Sequence, residues 1–356
     1  MAEFQIIDTK LWASEMPEDS YNDSPTAGAD YVPLVSLNPL LMLPKVGKFT
    51  DAGRIGTGTE FATHQCNDYW SHPAAGLSTD LELFEIYGRL WLRGFGGAVS
   101  DTPSGTTGIR HGSFLQLRSE GRQLPSTAII VDNGPNQVLL SGMVVDSMQL
   151  VKERTGRPTL SVNLLGSGKH EYPHTVTSLP DYSAPSTCPI VADLIVSYTK
   201  ADSTVVNLAE DAGCRFRAFS VAVGNNLKTD DRCPGDTLLT MNGAEAPYVR
   251  RLLRQIRQVG IQFTFVADDN IIEYAQYLKN DIITDVEVAV QGAVIGAGPA
   301  RFTIGIRFEK AVFELVDAID SEGDMAYTAS ILPLYDSTTT TAAEGYVIND
   351  TATDFE

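Results

Sequence analysis

The chain has 356 residues, 43% of them hydrophobic and 20% charged, with a net charge of −19. At ~150 residues per domain this length suggests about two domains, and the apolar content excludes wholesale disorder. No run approaches the ~18 apolar residues of a membrane helix, Met1–Lys10 lacks the pattern of a secretory leader, and so acidic a chain does not suit a protein that grips nucleic acid through counterion release.

The charge is uneven. Residues 1–33 hold seven acids and one base, and residues 317–356 hold nine acids and no base. Blocks of like charge are solvated tails in the plain reading. Both ends also carry apolar residues, Leu11 and Trp12 at one, Ile331, Leu332, Tyr335, Tyr346 and Val347 at the other. The sharper expectation is therefore two acidic arms that order only on assembly, with Trp12, Tyr335 and Tyr346 as subunit-interface residues.

In chain order, Thr79-Asp80-Leu81-Glu82 has the form of a capping box. It predicts a helix carrying Phe84, Tyr87, Leu90 and Trp91 on one face, stopped by Gly94, Gly96 and Gly97. Segments rich in Val, Ile, Phe and Thr predict strands over 138–151, 159–165, 191–199 and 215–223. Pro247 opens a second predicted helix with the stripe Val249, Leu252, Leu253 and Ile256, ended by Gly260. A strand over 261–266, a short helix over 269–278, and strands over 282–290 and 301–316 complete the chain. Turn chemistry at 132–135, 155–158 and 296–299 separates the strands.

Two hairpins alternate in phase. Val145–Leu150 matches Ile283–Val288 at an offset of 138, and Leu160–Leu164 matches Phe302–Ile306 at an offset of 142. The match predicts a tandem duplication of one strand–helix–hairpin unit. The first unit would span 34–180 and the second 181–316, with the boundary in the Pro-, Ser- and Thr-rich stretch 172–189. Each hairpin has an apolar face and a polar one. The polar faces carry Ser147, Gln149, Ser161 and Asn163 in the first, and Asp285, Glu287, Thr303 and Arg307 in the second. Hairpins of this kind pairing edge to edge between subunits would close a barrel lined by those residues.

Catalytic motifs are missing: the sequence has no G-x-S-x-G elbow, phosphate loop or H-E-x-x-H helix. His64, Cys66 and His72 are zinc-ligating types, but their spacing fits no closed site and a fourth ligand is not evident. They read as loop and strand-end residues, and no metal or cofactor is expected. Gly94-x-Gly96-Gly97 follows a helix rather than opening one, so it reads as a stop and not as an anion cradle. The cysteines at 66, 188, 214 and 233 form no paired framework and read as free thiols. Arg250, Arg251, Arg254 and Arg257 lie opposite the apolar stripe of the second predicted helix. They are either a solvated face or a socket for the acidic arms of a neighbouring subunit, with direct DNA binding as a third option.

The run Gly88–Gly97, then His111-Gly112-Ser113-Phe114, Leu124-Pro125-Ser126-Thr127 and the strand Val138–Met148, resembles the tail tube (major tail) proteins of long-tailed bacteriophages. Phe219–Leu227, with its paired Asn225-Asn226, agrees with it. The resemblance covers roughly residues 55–315 as an order of elements. It implies a mainly β fold with few helices: two tandem β-sandwich tube units, each flanked by a helix, whose hairpins join into a β-barrel-lined ring. Stacked rings would form the conduit for the genome. Contractile-tail and type VI secretion tubes share that fold. For a two-unit chain the family implies a trimeric ring rather than a hexamer. It also implies tape-measure, initiator and terminator partners, duplex DNA that passes without tight binding, synthesis in the host bacterial cytoplasm and a place in the virion tail. The rival readings are a β-sandwich binding module of the adhesin or carbohydrate-binding kind, using Tyr69, Trp70 and Trp91 as an aromatic platform, and an enzyme.

Overall fold

Period-two alternation governs most of the described residues. The computed structural model describes residues 9–351 except 38, 44–45, 51–64, 71, 81–82, 117–122, 133, 135–136, 177, 182–193, 210–215, 229–237, 242–243, 248–251, 267–281, 322 and 338–340. The predicted helix over 269–278, Arg250, Arg251, His64 and the cysteines at 188, 214 and 233 lie outside the described residues.

The strands of the first half are β1 (Lys10–Ser14), β2 (Tyr31–Pro33), β3 (Leu40–Met42), β4 (Val46–Thr50), β5 (Gln65–Trp70) and β6 (Ala74–Thr79). Helix α1 (Ile86–Phe95) follows, then β7 (Gly96–Ser104), β8 (Gly108–Leu115), β9 (Ser126–Asp132), β10 (Gln137–Glu153), β11 (Thr159–Leu165) and β12 (His170–His174). The second half has β13 (Leu194–Thr199), β14 (Val205–Asn207), β15 (Phe216–Gly224), β16 (Leu227–Lys228), β17 (Leu238–Met241), β18 (Ala244–Pro247), β19 (Leu253–Arg254) and β20 (Gln258–Val266). It ends with β21 (Ile283–Val294), β22 (Arg301–Ser321), β23 (Asp324–Pro333) and β24 (Glu344–Asn349).

The two halves use one pairing scheme twice. β1 pairs with β2 and β9, as β13 pairs with β14 and β21. The antiparallel pair β9–β10 matches β21–β22, and β10–β11 matches β22–β23. β6 flanks β11 as β20 flanks β23, and β3 flanks β6 as β15 flanks β20. β12 returns to the start of β10 as β24 returns to the start of β22. Even the irregularities correspond: the ladder shifts between Val145 and Ser147 in β10, and between Phe313 and Leu315 in β22.

The structural offset is therefore 168 between β10 and β22. This corrects the repeat read from the sequence, which matched β10 to β21 and β11 to β22. Any two amphipathic strands agree in period two, so alternation alone does not say which hairpin matches which. The unequal strand lengths and the bulges do.

The halves join where β15 pairs with the far end of β10, over Ser147–Glu153. This makes one eight-stranded antiparallel run, β3–β6–β11–β10–β15–β20–β23–β22. β24 adds a second link by pairing with both β22 and β8.

Helix α1 is the only α-helix among the described residues. It starts at Ile86 rather than at the capping box, because buried Ala75, Leu77 and Thr79 carry the alternation of β6 through to Thr79. The whole helix is buried, and Trp91 Nε1 donates to the Gly305 carbonyl at 3.0 Å. Gly94 lets it lie against β10, since a Cβ there would fall 2.6 Å from Met148 Sδ, and Gly96 ends it at φ 73°. The second predicted helix is also corrected. Leu252 is buried while Ile256 is 84% exposed, so its stripe is no continuous face. From Gln258 on, buried Val259, Ile261, Phe263 and Phe265 alternate as a strand.

The described parts of the terminal segments are not separate arms in this fold. β1 is an inner strand between β2 and β9, and β23 and β24 each pair on both edges. Buried Leu11, Trp12, Ala329, Ile331, Tyr346 and Val347 hold these strands in the fold, which a count of charge alone does not show. His111 clamps the C-terminal strand. It is fully buried, with Nδ1 2.7 Å from Asp101 Oδ1 and Nε2 2.8 Å from Asn349 Oδ1.

Candidate functional site

One face of the eight-stranded run turns to the core through Leu77, Val162, Met148, Val221, Ile261 and Ile331, all buried. Side chains one residue away along each strand point the other way. That opposite face carries hydroxyls and amides bonded across the strands. Asn163 Nδ2 donates to Ser147 Oγ at 3.0 Å, Gln149 Nε2 to Ser220 Oγ at 2.8 Å, and Gln262 Nε2 to Ser330 Oγ at 3.3 Å. Thr264 and Thr328 hydroxyls meet at 3.3 Å.

The face is concave. A groove of about 840 Å³ lies over it, and Ser147, Gln149, Ser161 and Asn163, the four residues predicted from the first hairpin, line it together with Gly224 and Gln258. No carboxylate is among the described lining residues, and the one cation is Arg257.

Arg257 is turned to the end of α1. Its Nη1 donates to the Phe95 carbonyl at 2.8 Å and Nη2 to the Gly94 carbonyl. Burial, and then the nearby Arg254 charge, pull its guanidinium down to about 9, so it is still a cation at neutral pH. These carbonyls also accept from the Gln116 N–H and from Asn225 Nδ2, and a cation at a helix C-terminus is the favourable sign for the macrodipole. Arg254 is also buried, with Nε donating to Gln116 Oε1 at 3.3 Å. The expected cluster on a free helix face is thus replaced, at these two positions, by contacts within the chain.

The second predicted four are not in the groove. They lie where β22 is flanked by β21 and β24, a consequence of matching the repeat one hairpin early. Arg307 Nη2 donates to Asp285 Oδ1 at 2.7 Å and lies 3.4 Å from Glu309. Glu287 accepts the Tyr346 hydroxyl at 2.5 Å, and Thr303 is buried with its hydroxyl on the Arg301 carbonyl. Burial lowers the affinity of Arg307 for its proton, but the Asp285 hydrogen bond and the Glu309 and Asp285 charges outweigh it, so the net shift is upward. Under the observed correspondence, Gln149, Ser161 and Asn163 match Asp317, Thr328 and Ser330.

Trp12 is buried with Tyr31, Ile130 and Leu139, and its Nε1 donates to the Pro180 carbonyl at 2.9 Å. Tyr346 is buried under the Arg110 guanidinium, 4.3 Å from its ring centre. Tyr335 alone of the three is exposed. Trp91 is buried in α1 and offers no platform. His72 Nδ1 lies 2.8 Å from the Gly166 carbonyl, and the described residues hold no cluster of three metal-ligating side chains.

Ser220, Gln258, Gln262, Thr264, Thr328 and Ser330 were missed in the sequence. The signal was present, since Gln258, Gly260, Gln262 and Thr264 alternate with four large apolar residues, but assigning 247–260 to a helix cut Gln258 and Gly260 off from the strand over 261–266.

A family model described as phage tail tube protein matches residues 73–333. The chain belongs to the phage tail tube protein family. Comparison with curated proteins gives no match. A tail tube protein is a structural subunit and a component of the virion tail, and the mainly β architecture with a large antiparallel sheet fits that role. No helix among the described residues is long and apolar enough to cross a membrane.

Proposed function

We propose that three copies of this tail tube protein close into a ring of six quasi-equivalent units, and that stacked rings make the conduit through which the genome leaves. The units are residues 10–174 and 194–349 of each chain. The observation that carries the reading is the strand scheme built twice in one chain, which gives each subunit two equivalent surfaces for assembly. The polar concave face lines the channel. Hydroxyl and amide groups already bonded to each other give phosphates no cation to displace counterions for, so duplex DNA slides past without being held. Tape-measure, initiator and terminator proteins are the partners inside the tube and at its ends.

Native mass spectrometry of released rings tests the stoichiometry. Three chains per ring are expected, and six full-length chains would overturn the reading.

A further inference from the structure

Within the chain, the far end of β10 has a strand on each edge, β11 on one and β15 on the other. Its counterpart, the far end of β22, has β23 on one edge. The other edge is taken by β21 only as far as Ala311, and beyond that no described strand pairs with it. At the opposite end of the eight-stranded run, β3 pairs with β6 and with no other described strand. β3 holds the place in the first half that β15 holds in the second.

We infer that β3 of one copy pairs antiparallel with residues 317–319 of β22 in the next, repeating between chains the β15–β10 pairing made inside each. This rests on the ring reading and names its seam. The register follows from the repeat. Leu40 and Ser220 are equivalent, because Leu40 pairs with Gly76 as Ser220 pairs with Gln262. Ser220 pairs with Val151 and Ala222 with Gln149. At the offset of 168, Val151 and Gln149 correspond to Ile319 and Asp317. Leu40 of one copy is therefore opposite Ile319 of the next, and Met42 opposite Asp317.

Three further observations fit this occupant. Leu40 is 68% exposed, Met42 56% and Ile319 38%, so two apolar side chains left in water would cover each other. Ala318 is exposed whereas its equivalent, Leu150, is fully buried, as expected where a neighbour's layer is missing. The run has eight strands, all antiparallel, so β3 and β22 point in opposite directions and a rotation about the tube axis brings them together with the correct sense. A strand edge with no described partner invites pairing, and a second copy is the partner with the matching register.

The full chain with Leu40→Cys and Ile319→Cys tests the seam. The two positions are seven strand spacings apart within a chain, roughly 34 Å at ~4.8 Å each. A disulfide needs Cα atoms within about 7 Å, so a link must join different chains. Oxidised assemblies should give, on non-reducing gels, a ladder that ends at three chains and collapses on reduction, with peptide mapping placing the disulfide at 40–319. Pairing Leu41→Cys with Ile319→Cys puts the thiols on opposite faces and should give at least tenfold less. Leu40→Lys and Ile319→Lys should each leave the melting curve of the free subunit unchanged and reduce tube growth at least tenfold. Tubes visible by microscopy with no 40–319 link, and with both lysine variants growing normally, would overturn the seam and leave the ring reading intact. A 40–319 link in open chains that never close would support the seam and overturn the ring.

Discussion

Deleting residues 336–356 separates a docking arm from a structural strand. An arm that orders only on assembly would leave a folded subunit behind. The structure requires the opposite. Tyr346 and Val347 are at most 1% exposed, and at ~1.5–3 kcal/mol per fully buried side chain they contribute about 3–6 kcal/mol. Removing β24 also strips the hydrogen-bond partners from one edge of β22 and one edge of β8, and it leaves buried His111 facing the gap left by Asn349. Each lost backbone bond adds ~0.5–1.5 kcal/mol. The total is comparable with the ~5–15 kcal/mol that holds a typical domain together. The truncated chain should be insoluble, or should lose its cooperative urea transition and its near-ultraviolet circular dichroism. A graded version avoids total loss. Val347→Ala removes two methyl groups' worth of burial and leaves a partly collapsed void, about 2 kcal/mol together, and at this chain length that lowers Tm by about 3 °C. A deletion variant with the wild-type spectrum and urea midpoint would refute the placement of β24 in the core and restore the arm.

Arg257→Gln should destabilise by ~2–3 kcal/mol in urea titrations, since it removes two charge-assisted bonds from the end of α1, and Arg257→Lys should recover part of the loss; a change below ~0.5 kcal/mol would mean a solvated arginine. Lys152 is fully buried, and burial pulls its amine below the ordinary 10.5. In the alkaline window just below 10.5 the unfolded chain therefore binds more protons than the folded one, and stability rises with pH; Lys152→Met should remove that slope between matched urea curves and raise the midpoint at pH 7. Gln149→Lys with Ser161→Lys should leave rings and tubes assembled but slow DNA passage and make it salt-dependent, and ejection rates unchanged at low salt would remove the groove from the channel wall.

The strands were legible because their faces differ. Thr159–Leu165 was read to the residue, and Met148, Leu150, Val286 and Val288 fell on the core side as expected. The first half of the candidate site followed from that alternation, since Ser147, Gln149, Ser161 and Asn163 need only the correct parity to be placed together. The misreadings have one physical origin: local pattern does not report what lies beside it. Arg254 and Arg257 look like a charged helix face until Gln116 and the end of α1, more than a hundred residues away, are seen to hold them. Thr79 looks like a cap until its ladder to Leu160 is seen. Trp12 and Tyr346 look like anchors awaiting a partner because the sequence does not show that β9, β22 and β8 supply it within the chain. The duplication was visible, but its register depended on strand length and bulges, which hydrophobic period does not encode.

The seam also bears on how many copies make a ring. Each chain contributes eight strands to the continuous run, and strands lie ~4.8 Å apart. Two chains would give sixteen strands and a barrel about 24 Å across between backbones; with a ~5 Å layer of side chains on each wall the clear width is about 14 Å. Strand tilt widens a barrel by up to roughly a third, which still leaves a duplex about 20 Å across no space for its water and counterions. Three chains give twenty-four strands, about 37 Å between backbones and about 27 Å clear before tilt, enough for a hydrated duplex. Six chains would exceed 60 Å clear, a channel in which the polar face touches nothing that passes. On the proposed ring, a wall without exposed cations and the strand count point the same way. Under the proposed function the groove acts only at a width that keeps the duplex close, and of these closures three copies of a two-unit chain would provide that width.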